Sequence, residues 1–193
     1  MRFALCLAAT LALAAPAHAD PFRHSSGEWR EYHRDWLAAC PANIDEDAPD
    51  FYDYSCFASS GSQELNGASL PAYKLTVIRN RLDGELDLAI TVALEDGGYD
   101  ESRPIVLRFG GEAPVSLSMG EELETRHNVT NQYFVADPDE ADALIERMKE
   151  RNAVTLSVPL LDVEKPVETR MSLRGVMASL DFMAAYARKV AEY

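Results

Sequence analysis

The sequence predicts a mainly β protein, an antiparallel β-sandwich or open barrel with two α-helices at about residues 138–151 and 176–191. Many short stretches alternate apolar with polar residues, as strands with one buried face do. Turn-forming residues such as Asp83-Gly84 separate these stretches, and a helical spacing of apolar residues occurs in only two segments. No internal repeat or linker divides the chain, so we expect residues 20–193 to form one domain.

The N-terminus has the pattern of a signal peptide at residues 1–19. Arg2 supplies a positive charge, Phe3 to Ala15 is a small-apolar run with Thr10 as its one polar residue, and Ala17-His18-Ala19 is a small-x-small cleavage site. This run of 13 residues is shorter than the roughly 20 residues that a helix needs to span a bilayer. We therefore predict a periplasmic or secreted protein that begins near Asp20 and keeps no integral membrane segment after cleavage.

Two segments with aromatic residues and cysteines open the predicted domain after a polar arm. Trp29 to Cys40 is typical of one strand or two short strands, and Phe51 to Ser59 is typical of the next. Successive side chains of a strand point to opposite sides, which places several of these residues together. The residues expected on one side are Trp36, Ala38 and Cys40 in the first segment, and Tyr52, Tyr54 and Cys56 in the second.

Cysteine usage predicts a disulfide between Cys40 and Cys56. Removal of the signal peptide takes away Cys6 and leaves these two cysteines, in a compartment where thiols oxidise. Closing a loop of roughly fifteen residues stabilises a fold by about 3 kcal/mol when the bond is unstrained. A catalytic cysteine is the alternative, and it needs an activating base. His33 is the only histidine close in sequence, so we favour the disulfide.

The middle of the chain predicts further strands. The clearest hairpin joins Tyr73–Val77 to Leu86–Leu94 through the turn at Asp83-Gly84. Alternating apolar residues predict additional strands at Ile105–Phe109, Val115–Met119, Glu124–Val129, Gln132–Ala136, Val154–Val158 and Val167–Leu173.

Two segments have helical spacing. The first begins at Asp137, a good N-cap, followed by Pro138 at the first helical position and by Glu140, which can close a capping box. The second follows Gly175. The apolar residues that form one stripe on each predicted helix are Ala141, Leu144, Ile145 and Met148 in the first, and Val176, Leu180, Met183, Ala187 and Val190 in the second.

Composition excludes some functions and leaves others open. The formal net charge of −14 disfavours nucleic acid and anionic lipid as partners. His24, His33 and His127 lack the spacing of a metal site, so we predict no metal and no cofactor. No nucleophile motif is present, and we predict a protein that is not an enzyme. Paired carboxylates stay open as an alternative, because the 32 acidic residues allow many pairs.

Aromatic residues near the predicted disulfide are the remaining candidates for a site. Trp36, Tyr52, Tyr54 and Tyr73 are candidate residues of a ligand pocket. The alternative, which we favour, is that they pack around the disulfide.

Four features of the sequence occur together: a signal peptide, Trp36 and Cys40 in one predicted strand, Cys56 in the next, and the C-terminal segment Thr169–Leu180. In this combination the chain resembles the invasion-associated locus B family of exported bacterial proteins. That segment is similar to the Ser-Leu-x-Gly-Phe-x-x-Ala-Leu-like motif of the family, although Val176 and Met177 replace its aromatic residue and the family's further cysteine pair is absent. The resemblance implies a β-sandwich-like periplasmic or secreted protein without established catalytic residues.

These observations together predict an exported, non-enzymatic binding or interaction protein. Its partner is a protein of unknown identity, and its role lies in the envelope or in contact with a host, as the resemblance implies. A carboxylate-based envelope hydrolase and a carrier of small apolar ligands are the two alternatives. The oligomeric state is not predicted by any pattern in the sequence.

Overall fold

The computed structural model describes residues 20–42, 54–93 and 98–190, and in these residues the chain is mainly antiparallel β with two helices. The helices are Pro138–Glu150 (α1) and Val176–Val190 (α2). The predicted fold class is confirmed, while the predicted signal peptide lies outside the described residues. The strands are Phe22–Arg23 (β1), Glu28–His33 (β2), Trp36–Pro41 (β3), Ser55–Gly61 (β4), Tyr73–Asn80 (β5), Leu86–Val92 (β6), Ile105–Arg108 (β7), Val115–Leu117 (β8), Leu123–Thr125 (β9), Gln132–Val135 (β10), Ala153–Val158 (β11) and Val167–Ser172 (β12).

The strands form two antiparallel sheets. The larger sheet has the order β1-β2-β3-β4-β5-β6-β10-β9, and the smaller has the order β12-β11-β7-β8. The predicted hairpin is present as β5 and β6, whose turn contains Gly84 at a φ of 86°. Asn80 Nδ2 donates to Asp83 Oδ2 at 2.6 Å across this turn, and the Glu85 amide donates to Asp83 Oδ1 at 2.9 Å. Short polar side chains therefore hold the turn.

Several predicted boundaries move. The segment from Trp29 to Cys40 is two strands joined by a turn, in which Arg34 has a φ of 57°. Strand β4 begins at Ser55, directly after Tyr54, which belongs to a turn; residues 51–53 of the predicted strand lie outside the described part of the chain. The polar arm before Trp29 contains β1, which pairs with β2.

The two sides of the eight-stranded sheet differ in what covers them. We call the side that carries Trp36 and Cys56 the helix face, because its residues join both helices and the smaller sheet in one hydrophobic core. We call the opposite side the far face. It carries a smaller buried cluster of Ile78, Ala89 and Phe134. The main hydrophobic core therefore lies on the helix face, and the far face carries only the smaller cluster among the described residues.

The predicted disulfide is confirmed. Cys40 of β3 and Cys56 of β4 are bonded, and their Cα atoms are 4.2 Å apart. The register that pairs Ala39 with Phe57 and Ala38 with Ala58 places the two cysteines opposite each other. Both side chains are fully buried on the helix face. The bond therefore joins two neighbouring strands beneath α2, which contacts both.

Helix α1 forms as the sequence predicts. The Asp137 side chain caps it by accepting from the amides of Asp139 and Glu140 at 2.8 and 3.4 Å, and Pro138 occupies the first turn. The four predicted core residues of α1 are the ones that the structure buries: Ala141, Leu144, Ile145 and Met148. Phe182 of α2 is also buried, although the predicted stripe omits it.

Helix α2 is held to the β2–β3 hairpin by the segment that precedes it. Trp36 Nε1 donates to the Ser172 carbonyl at 2.9 Å, and Ser172 Oγ donates to Asp35 Oδ2 at 2.6 Å. Gly175 has a φ of 109°, and a Cβ there would lie 1.8 Å from the carbonyl oxygen of His33. Only glycine permits this close approach of the two chain segments. Neither described helix is long and apolar enough to cross a membrane.

Candidate functional site

The predicted aromatic pocket does not form as one group. Trp36 is completely buried in the main core, and Tyr73 is also part of that core. Tyr54 packs on the far face against the cluster around Phe134, so its predicted position beside Cys56 is wrong. The reason is that Tyr54 precedes the strand, and the alternation of side chains does not extend to it. Tyr52 lies outside the described residues.

A groove lies instead between the two helices and the β5–β6 hairpin. We call it the helix groove, and its volume is about 270 Å³. Helix α2 provides one wall, α1 provides Lys149, and the hairpin provides the floor. The residues that line it are Arg79, Leu86, Lys149, Met177, Leu180, Asp181 and Ala184.

Arg79 is the unusual residue of the helix groove. It follows Tyr73, Leu75 and Val77 on the helix-face side of β5, where each earlier position is apolar and buried. Its Nε atom is buried and has no hydrogen-bond partner in the protein. Within the described part of the chain, no carboxylate forms an ion pair with Arg79. A buried donor without an acceptor costs about 1–3 kcal/mol, so this site favours an anion.

Two other charged residues line the helix groove. Lys149 Nζ lies 2.5 Å from Glu146 Oε1 on the exposed side of α1, and Asp181 is exposed at the groove. Because Lys149 is already paired with a carboxylate, Arg79 is the lining cation that lacks an ion pair among the described residues. A Cβ at Gly84 would lie 3.4 Å from Arg79 Nη2, so the hairpin turn passes close to the guanidinium.

The walls of the helix groove are apolar. The Met177 side chain is 57% exposed, whereas Leu180 beside it is buried. Methionine is flexible and polarisable, which suits a surface that adapts to a ligand. Ligand pockets typically combine apolar walls with a few well-placed polar groups. The helix groove has this composition, with Arg79 as its main polar group.

A second groove, of about 590 Å³, lies along the β9–β10 loop. Its arginine, Arg126, differs from Arg79 because two carboxylates neutralise it: Asp87 Oδ1 at 2.6 Å and Glu124 Oε1 at 2.5 Å. The Arg126 guanidinium also lies 5.3 Å from the centre of the Phe134 ring. These contacts already satisfy the cation, so this groove has less need of an anionic ligand.

Glu31 and His33, whose side chain types are common in catalysis, lie outside both grooves. Glu31 Oε1 and His33 Nδ1 are 3.7 Å apart, both largely buried beneath α2, with the Phe182 ring centre 6.0 Å from that of His33. In residues 20–42, 54–93 and 98–190, no group of three or more His, Cys, Asp and Glu side chains could hold a metal ion.

Two tyrosines that pack together in the main core, Tyr99 and Tyr133, have raised pKa values. Burial and the nearby Glu101 carboxylate raise the pKa of Tyr99 to about 12. Its hydroxyl donates to the Arg103 carbonyl at 2.6 Å, and its ring meets that of Tyr133 edge-on at 5.0 Å. Burial also raises the pKa of Tyr133. These rings act as packing elements.

Comparison with known proteins adds no relative. No protein-family model, no curated protein and no solved structure matches this chain.

Proposed function

We propose that this protein is an exported, non-enzymatic binding protein that takes a small amphipathic anion into the helix groove. The observation that carries the proposal is Arg79, which has no ion-pair partner among the described residues and whose Nε is buried at the floor of a groove with apolar walls. A ligand carboxylate would supply the missing acceptor, and an apolar chain on that ligand would cover Met177 and Leu180.

Export is supported by the signal-peptide pattern and by the disulfide. The bond between Cys40 and Cys56 fits a protein that folds outside the reducing cytoplasm. The resemblance to the invasion-associated locus B family agrees with this location. Membership of that family, and the role in the envelope or in host contact that it implies, stay predictions.

The dimensions of the helix groove define the ligand class. A volume of about 270 Å³ lies just below the range, about 300–1,000 Å³, typical of small-molecule pockets. A medium-chain fatty carboxylate such as octanoate matches this size and the charge arrangement. The planar guanidinium of Arg79 suits a carboxylate because it can donate two parallel hydrogen bonds.

Calorimetric titration with octanoate tests the proposal. We expect octanoate to bind more tightly than 1-octanol, which has the chain without the charge, and more tightly than acetate, which has the charge without the chain. The carrier alternative predicts instead that 1-octanol binds as tightly as octanoate.

The matched variants are Arg79→Gln and Arg108→Gln. Arg108 is an exposed arginine on the smaller sheet, 2.8 Å from Glu168, and it does not line the helix groove. We expect Arg79→Gln to weaken octanoate at least about tenfold, which corresponds to ~1.4 kcal/mol, and Arg108→Gln to bind normally. Equal octanoate affinity in the wild type and Arg79→Gln would refute the proposal.

A further inference from the structure

The far face of the eight-stranded sheet carries a second group of polar side chains, away from the helix groove. Lys74 and Thr76 are alternate residues of β5, and Lys74 pairs with Thr91 across to β6. Directly opposed side chains in a sheet have Cβ atoms about 4.5–5.5 Å apart. Gln132 of β10 is the next residue in the same row, because it pairs with Thr91. An ammonium, two hydroxyls and an amide therefore lie side by side.

Three of these groups lack partners within residues 20–42, 54–93 and 98–190. Thr76 is only 4% exposed, and its Oγ1 atom is buried without a hydrogen bond. The Thr91 Oγ1 atom is buried in the same way. Throughout the described residues, Lys74 forms no ion pair, and the burial of its side chain lowers its pKa. Buried polar groups in native proteins are nearly always satisfied, so such a cluster needs an explanation.

Other charged side chains on the far face pair with one another. Asp87, which follows the same alternation on β6 as Thr91, forms an ion pair with Arg126 at 2.6 Å. Glu124 on β9 also contacts Arg126. These two carboxylates share one cation, whereas Lys74 has no carboxylate partner among the described residues. Lys74 therefore lies beside two hydroxyls without an anion to pair with in this part of the chain.

We propose that Lys74, Thr76 and Thr91 form a site for a compact oxyanion of the phosphate or sulfate type. A lysine ammonium offers three donors and a threonine hydroxyl offers one, and a tetrahedral oxyanion has acceptor oxygens in several directions. Lysine binds phosphate as a point charge, without the planar geometry that favours arginine for carboxylates. The site differs from the helix groove because its polar groups are hydroxyls and its ligand needs no apolar chain.

Titration of the full-length, disulfide-bonded protein with inorganic phosphate tests this inference. Thermal unfolding and isothermal calorimetry at constant ionic strength would compare phosphate, sulfate and chloride. We expect phosphate, sulfate or both to raise the melting temperature and to give a saturable binding isotherm, and chloride to do neither. Comparison of the phosphate and sulfate titrations shows which of the two oxyanions the site binds more tightly. Equal shifts in all three salts would overturn the proposal.

Two variants with a matched control locate the site. Thr76→Val keeps the β-branched shape but removes the hydroxyl, and Lys74→Met removes the charge. We expect each variant to weaken oxyanion binding at least fivefold. Lys165→Met, at an exposed loop lysine, should bind normally. Thr76→Val also has a readout that a purely structural role would not give, because removal of an unsatisfied buried hydroxyl should leave the melting temperature of the free protein unchanged or higher.

Independence from the helix groove is part of the same test. Arg79→Gln should leave oxyanion binding unchanged, and Thr76→Val should leave octanoate binding unchanged. If both Thr76→Val and Lys74→Met keep the wild-type oxyanion affinity, the far-face site does not exist, whatever the result for octanoate.

Discussion

Strand β5 carries, on each face of the eight-stranded sheet, one cation that forms no ion pair with the residues the structure describes, and the two cations have different surroundings. Arg79, near the end of the strand, faces the helices and lies among apolar walls. Lys74, near the start, faces the opposite side and lies among buried hydroxyls. Five residues separate them, and an odd separation in a strand places side chains on opposite faces. One strand can therefore serve two ligand classes without contact between the sites.

The choice of cation agrees with each environment. A guanidinium is planar and weakly hydrated, so Arg79 suits a site with apolar walls. An ammonium is strongly hydrated, and burial lowers the pKa of Lys74. Under the two proposals, the helix groove would select for an apolar chain next to a carboxylate, and the far face for charge density alone.

Replacement of Gly175 should have the largest effect, and it should affect the helix groove more than the far face. In Gly175→Ala the new Cβ would collide with the His33 carbonyl, in a backbone conformation that alanine adopts poorly. We expect the free energy of unfolding to fall by about 3–5 kcal/mol, measured by urea denaturation. Because α2 forms a wall of the helix groove and has no residue at the far-face site, octanoate binding should suffer before phosphate binding. An alanine variant of normal stability would contradict the role assigned to Gly175.

Loss of the disulfide should have the next largest effect. The double variant Cys40→Ser with Cys56→Ser removes a bond between residues 16 apart in sequence. We expect the free energy of unfolding to fall by about 2–5 kcal/mol, as measured by denaturation with and without a reductant. Cys56 pairs with Arg79 in the β4–β5 register, so the helix groove should again respond more than the far face. A reductant that leaves the wild-type midpoint unchanged would count against a stabilising disulfide.

The smallest expected effect is the contribution of Lys74 to the pH dependence of stability. The folded-state pKa of Lys74 lies below its ordinary value of 10.5, so between these two pKa values the unfolded chain binds more protons than the folded protein. Stability contributed by this residue therefore rises with pH through that window, and the penalty of burying its charge is fully present below the folded pKa.

A comparison of the wild type with Lys74→Met isolates this contribution. Tyr99, Tyr133 and Tyr186 have raised pKa values and act in the opposite direction, but they are common to both proteins. We expect the stability of the wild type relative to Lys74→Met to increase as the pH rises toward 10.5, in urea unfolding at a series of pH values. Parallel stability curves for the two proteins would show that Lys74 is not buried as a cation.

Local patterns predict most of the secondary structure because each pattern has a local physical cause. Asp137 and Pro138 define the start of α1 through capping, which needs only neighbouring residues. Asp83 and Gly84 define the β5–β6 turn in the same way. Tyr54 shows where local reasoning ends: strand alternation holds only within the paired segment, and pairing with β3 and β5 decides where β4 begins.

The sequence predicts less of the candidate sites than of the secondary structure. Arg79 does leave a signal, since it occupies the fourth position in the apolar alternation Tyr73, Leu75, Val77. That signal does not reveal that Met177 and Leu180, about one hundred positions later, form the opposing wall. The predicted aromatic pocket failed for the same reason, because proximity in sequence placed Tyr54 with Cys56 whereas the sheet separates their faces.

Sequence patterns predict the β-rich class, the two helices and the cysteine pair, because alternation, capping and cysteine count depend on residues close together or on composition. Which charges are neutralised depends on the tertiary structure. Arg126 finds Asp87 and Glu124, whereas Arg79 and Lys74 find no carboxylate among the described residues. Ion pairing between distant strands and helices depends on register and packing, and those are set by the whole fold at once.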